Sequence, residues 1–154
     1  MISVGYVQSP EEKRRVARAI LEALPEWFGI PEAREEYIQK SADQPFWRAD
    51  ADGETAGFLY LMETGKDAAE LYVLGVRKEY HRMGIGKAMF RAAYAFAREK
   101  GYSFLQVKTV QMGRYEAYDR TNRFYRALGF KEFEVIPELW GESNPCQIYV
   151  MAIE

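Results

Sequence analysis

The sequence has one cysteine, Cys146, and one histidine, His81. A single cysteine excludes an intrachain disulfide and suits a reducing compartment. No apolar run approaches the roughly 20 residues of a membrane span. The first residues, Met1 to Gly5, lack the charged and apolar regions of a secretory signal. A cytoplasmic protein without a membrane partner is therefore expected. A formal net charge of -2 leaves no global field for nucleic acid, and no basic stretch interleaved with aromatics supplies a local one. Repeats, low-complexity tracts and interdomain linkers are also missing. The 154 residues thus read as a single domain, 1–154, long enough to bury about 70% of its unfolded surface.

Several segments carry clear secondary-structure signals. Ile2 to Val7 reads as a first strand. Ser9, Pro10 and Glu12 then open a helix, with Ser9 as N-cap and Glu12 completing a capping box, and Pro25 ends it. A second short helix begins at Pro31. Phe46 to Ala51 and Thr55 to Thr64 form a hairpin around Asp52-Gly53. A third strand, Ala69 to Arg77, follows the turn at Gly65-Lys66-Asp67. After two glycines, Ile85, Met89, Ala92, Ala93, Phe96 and Ala97 make a helical stripe closed by Gly101. Phe104 to Val110 is the next strand, and its long connection demands a right-handed crossover to a parallel neighbour. Ala117 to Leu128 is a helix ended by Gly129. Phe130 to Ile136 and Gln147 to Ile153 close the chain as strands. The fold class is α/β (α+β): a mixed, mostly antiparallel sheet with one central parallel pair and about four helices.

Strand, glycine turn and helix in that order make an anion site, because a helix N-terminus offers unpaired N–H groups and a positive dipole end. Two phosphate-binding schemes fail here. A dinucleotide fingerprint needs a third glycine, but Gly84-Ile85-Gly86 is followed by Lys87-Ala88-Met89. A nucleotide triphosphatase loop needs Gly-Lys before Ser or Thr, and Ala88 stands in that place.

The run His81-Arg82-Met83-Gly84-Ile85-Gly86 resembles the Gln/Arg-x-x-Gly-x-Gly/Ala signature of the GNAT superfamily of acyl-CoA-dependent N-acetyltransferases. His81 departs from the pattern at its first position. The segment from Thr121 to Phe130, with FYRALGF at its end, is similar to that family's FY-x-x-x-GF element. Glu70 to Val76 is similar to its central strand, and Phe104 to Val110 to the strand that splays from it.

The resemblance implies transfer of an acetyl group from acetyl-CoA to a primary amine by direct attack in a ternary complex. The acceptor would be a small molecule or a protein amine. A non-catalytic acyl-CoA-sensing domain of the same fold is the alternative. No metal is expected, and a homodimer through the C-terminal strands is an expectation by family analogy alone.

The resemblance also implies roles for residues. His81, Arg82, Met83, Gly84, Ile85, Gly86 and Lys87 would wrap the coenzyme A pyrophosphate. Leu74, Gly75 and Val76 would pair with the pantetheine arm, at a bulge marked by Gly75, with an N–H toward the thioester oxygen. Tyr125 would protonate the departing thiolate, and Glu70 would act as general base with Tyr72 as a relay. Tyr118 stands where many relatives have a pantetheine-contacting Asn. Cys146 lacks an activating histidine and reads as a buried small residue. Trp27, Phe28, Tyr37, Trp47 and Trp140 either line an acceptor pocket or fill the core. Asp43, Glu116 and Asp119 either attract an amine or belong to solvated loops.

Overall fold

Alternation along the strands and stripes on the helices sort the apolar residues onto two faces of one sheet. A computed structural model describes residues 1–154. The strands are β1 (Ile2–Val7), β2 (Phe46–Ala51), β3 (Glu54–Gly65), β4 (Ala68–Val76), β5 (Phe104–Val110), β6 (Lys131–Ile136) and β7 (Cys146–Ala152). They lie in the order β1-β2-β3-β4-β5-β7-β6. The helices are α1 (Pro10–Glu22), α2 (Pro31–Lys40), α3 (Ile85–Glu99) and α4 (Glu116–Leu128).

Helices α1 and α2 cover one face. Val16, Ile20 and Leu21 of α1 and Ile38 of α2 pack with Phe46, Phe58, Tyr60 and Val73. Helices α3 and α4 cover the other, where Ile85, Met89, Phe90 and Tyr125 meet Leu59, Leu71, Val107 and Tyr149. Each large apolar side chain sealed in this way contributes about 1.5–3 kcal/mol.

Local chemistry sets the element ends. Ser9 caps α1 by accepting from the Glu12 N–H at 3.2 Å. The Glu12 carboxylate, expected to reach back and complete a capping box, instead accepts from Arg48 at 3.2 Å. A buried-side guanidinium is a stronger partner than a solvated backbone N–H. Asp52 and Gly53, with φ of 52° and 85°, make the left-handed two-residue turn that joins β2 to β3.

Only β4 and β5 run parallel, as expected, and they pair over three residues alone: Ala68 with Phe104, Ala69 with Leu105 and Glu70 with Gln106. Beyond that point β5 remains paired with β7 up to Val110, while β4 stays with β3. The two strands therefore part, and their facing edges have no strand partner.

Candidate active site

A cleft of about 1430 Å³ occupies the parting of β4 and β5. It reaches from the glycine turn before α3, past Glu70, to the loops that precede α2 and β7.

At the turn, Arg82 and Gly84 both take left-handed backbone, with φ of 67° and 79°. For Gly84 this conformation is unstrained, whereas for Arg82 it is uncommon. The first backbone hydrogen bond of α3 runs from the Ala88 N–H to the Gly84 carbonyl. The N–H groups of Ile85, Gly86 and Lys87 thus lack intrahelical acceptors and form an anion-binding terminus. Gly86 has a second reason to be glycine. A Cβ there would stand 2.9 Å from the ring of Phe124, so the glycine turn and the Phe124-Tyr125 pair pack on one another.

His81 does not project free of the protein. Its Nε2 donates to the Val76 carbonyl at 2.7 Å, tying the turn to the end of β4, and its ring meets Trp27 edge-on. This bond anchors the departure from the family signature within the protein itself.

The bulge lies elsewhere than expected. Tyr60 pairs with Val73 and Leu61 with Leu71, so the extra residue is Tyr72 and not Gly75. Tyr72 and Val73 consequently both pack on the α1–α2 face, and Leu74 and Val76 turn toward α3. Gly75 serves packing: a Cβ on it would stand 2.9 Å from Ile20 and 3.3 Å from Leu24 of the α1 region. Leu74, Gly75 and Val76 still line the cleft.

Where β4 and β5 begin to part sits Glu70, 4% exposed, accepting from Lys108 Nζ at 2.7 Å. Burial raises the Glu70 pKa above the ordinary carboxylate range, and the Lys108 ammonium opposes that rise. Both residues line the cleft. Lys108 was not singled out in the sequence, although a lysine inside FLQVKTV was a visible anomaly.

Tyr125 lies on the α4 wall of the same cleft, buried to 6% exposure. Burial, then the neighbouring Tyr118 and Glu70, raises its pKa, so the phenol keeps its proton throughout the neutral range. Its hydroxyl has no protein partner, yet no buried polar side-chain atom is left orphaned, so that oxygen is open to the cleft.

Tyr118 also lines the cleft, but its hydroxyl is used within the protein, donating to the Trp27 carbonyl at 2.8 Å. The Trp27 indole N–H is directed in turn at the Ala117 carbonyl and Thr121 Oγ1, at 3.3 and 3.2 Å. These bonds clasp the α1–α2 connection to α4. Asn122, also unforeseen, seats α4 on the sheet. Its Nδ2 donates to the Val110 and Tyr118 carbonyls, and its Oδ1 accepts from the Tyr149 hydroxyl at 2.6 Å.

The other candidates divide cleanly. Trp27, Phe28, Tyr37 and Trp140 line the cleft, whereas Trp47 is core on the α3 face. Glu116 borders the cleft, Asp119 accepts from the Gly113 N–H, and Asp43 sits in a short 3₁₀ turn. Cys146 is buried, and burial pushes its thiol up to about 11. No cluster of His, Cys, Asp or Glu has the makings of a metal site.

The site is thus a cleft in an α/β sheet parted along its one parallel pair, with a bare helix terminus at one end of the gap. Residues 42–132 match the family described as the acetyltransferase (GNAT) domain, and the chain belongs to that family. It is 28% identical over 97 residues to N-acetyltransferase family 8 member 2 of Rattus norvegicus, covering 60% of this chain and 41% of that protein. The match thus spans less than half the length of that relative. Among solved structures, a GNAT-family protein from Desulfovibrio desulfuricans superposes with a TM-score of 0.85 at 19% identity, covering all of both chains. The ribosomal-protein-S18-alanine N-acetyltransferase of Escherichia coli gives 0.79 at 16% identity, covering 100% of this chain and 95% of that one. An aminoglycoside 6'-N-acetyltransferase, solved with coenzyme A, gives 0.76 at 16% identity over 97% of each chain. No helix is long and apolar enough to cross a membrane.

Proposed function

We propose that the chain is a single N-acetyltransferase domain that moves an acetyl group from acetyl-CoA to a primary amine by direct attack in a ternary complex. The observation that carries this reading is the convergence of Glu70 and Tyr125 on one cleft that ends at the bare N-terminus of α3.

Acetyl-CoA supplies the activated thioester. The N–H groups of Ile85, Gly86 and Lys87 would hold its pyrophosphate, with Arg82 and Lys87 adding charge. The unpaired edge of β4 from Leu74 to Val76 offers backbone partners to an extended amide-bearing arm, as an added strand would. Glu70 takes the proton of the attacking ammonium, and the amine nitrogen forms its bond to the thioester carbonyl carbon. As the carbon–sulfur bond breaks, Tyr125 protonates the thiolate, and the second proton that the nitrogen sheds as the amide forms restores the Tyr125 phenol through solvent, leaving an amide and free coenzyme A. A neutral, sealed Cys146 thiol favours direct attack over an acyl-enzyme.

Thiol release from acetyl-CoA in the presence of a panel of primary amines tests this reading. Coenzyme binding without release above background for any amine would instead support an acyl-CoA sensor.

The ion pair at the apex gives a second test. An active Glu70 must be ionised, so activity rises as pH passes upward through its pKa. Lys108→Met removes the cation that counters burial, the Glu70 pKa climbs further, and the acidic limb of kcat/KM shifts to higher pH by about one unit or more. Glu70→Gln abolishes that limb. An unmoved limb in both variants would place the base elsewhere.

A further inference from the structure

The acceptor end of the cleft provides one carboxylate, already neutralised, and a wall of aromatic rings. We infer that the acceptor is a monoamine carrying an aromatic body within a few bonds of the nitrogen, an inference that rests on the acetyl-transfer reading above.

Three rings form the wall beside Glu70. Phe28 meets Tyr37 edge-on with centroids 6.1 Å apart, and Tyr37 meets Tyr72 edge-on at 5.8 Å. The backbone of Tyr37 is fixed by the Tyr60 hydroxyl, which donates to its carbonyl at 2.8 Å. All three rings line the cleft, and the β6–β7 connection adds Leu139 and Trp140, both substantially exposed.

Charge narrows the class further. The carboxylates bordering the cleft are Glu26, Glu70 and Glu116, and each has a basic neighbour: Lys78 at 2.6 Å, Lys108 at 2.7 Å and Arg120 at 3.8 Å. A polyamine or amino sugar brings several ammonium groups, and each would need a free carboxylate or open water to offset its desolvation. Glu26 and Glu116 stay 45% and 86% exposed, and the one sealed carboxylate, Glu70, already shares its charge with Lys108, so the site sets a single carboxylate against a single nitrogen.

Few hydrogen-bonding groups on this wall are left for a hydroxyl-rich acceptor. The Tyr72 hydroxyl is engaged by Lys40 at 3.2 Å and the Tyr118 hydroxyl by the Trp27 carbonyl. What the wall leaves for a ligand is mainly ring surface, with the Tyr37 hydroxyl and the Tyr72 hydroxyl proton as its few hydrogen-bonding groups. An aromatic body stacks edge-to-face or offset on such surface, and its ammonium gains from the ring faces while it waits for deprotonation.

The test compares 2-phenylethylamine, n-propylamine, spermidine, kanamycin and a tripeptide amide beginning with Phe, by thiol release at saturating acetyl-CoA. The expected result is a kcat/KM for 2-phenylethylamine about tenfold or more above n-propylamine, spermidine and kanamycin. Activity on the Phe-led peptide would show that the aromatic amine can be a chain end, and its absence would confine it to free amines; either supports the class. Trp140→Ala, a loop position that can be truncated without opening the core, should raise the KM for 2-phenylethylamine about tenfold and leave that for acetyl-CoA unchanged. Tyr37→Ala should do the same. Equal or better use of spermidine or kanamycin overturns the inference. Calorimetry with coenzyme A-loaded protein separates the two readings. If no amine reacts but 2-phenylethylamine binds, more weakly in Trp140→Ala, the transfer reading fails and the aromatic subsite stands. If it neither binds nor reacts, the subsite inference is wrong.

Discussion

Tyr125→Phe should lower kcat by about 10²–10⁴ while leaving the affinity for acetyl-CoA nearly unchanged. The substitution removes one oxygen from a ring packed against Phe130 and Tyr149 on the α3–α4 face, so the core keeps its shape. The lost hydroxyl has no protein hydrogen bond to forfeit and opens onto the cleft, so its removal costs little folding stability. A raised phenol pKa makes Tyr125 a poor acid toward solvent but keeps it fully protonated, the state needed to meet a leaving thiolate. Equilibrium binding of acetyl-CoA by calorimetry, set beside steady-state kcat, separates the roles. A wild-type kcat would remove Tyr125 from the chemistry.

The second large effect is on stability. Asn122→Ala should cost about 3 kcal/mol and lower the Tm by about 6–12 °C. Asn122 is fully buried, and its loss strips the Val110 carbonyl and the buried Tyr149 hydroxyl of a partner at once. Arg126 still donates to the Tyr149 oxygen at 3.2 Å, which satisfies its acceptor side but not its proton. Tyr149→Phe alone should cost less, about 1 kcal/mol. In the double variant the two losses should be clearly less than additive, because both report one network. Since Asn122 holds α4 on β5, residual activity should fall with the seating of Tyr125. A Tm within a degree or two of wild type would show that α4 is held by its apolar stripe alone.

The elements were legible because their signals are local. Pro10 and Pro31 at helix starts, Asp52-Gly53 at a hairpin and Gly101 and Gly129 past helix ends act within a turn of themselves, and β2 and β5 have the expected limits. The glycine turn before α3 was legible for the same reason, since its shape is backbone geometry set by Gly84 and the helix that follows. The bulge was not. Gly75 looked like its marker, but the register between β3 and β4 depends on which residues each face must bury, and the strand slips at Tyr72 to turn two successive side chains toward α1 and α2. Glycine at 75 answers to Ile20, some 50 residues away in the chain, and glycine at 86 to Phe124.

The sequence by itself therefore determined the order of elements, the crossover that makes β4 and β5 parallel, the glycine turn before α3 and the family. Tertiary structure alone decided that β4 and β5 part after Glu70, that Lys108 neutralises Glu70 there, that Asn122 seats α4, and that Trp27 and Tyr118 clasp across the cleft. The physical reason is range. Turn and cap preferences act between neighbours, whereas the Lys108–Glu70, Tyr118–Trp27 and Tyr149–Asn122 contacts join residues 38, 91 and 27 positions apart. A shorter join fixes the turn itself: the His81 ring, irregular in the motif, donates to the Val76 carbonyl and locks the turn onto the end of β4.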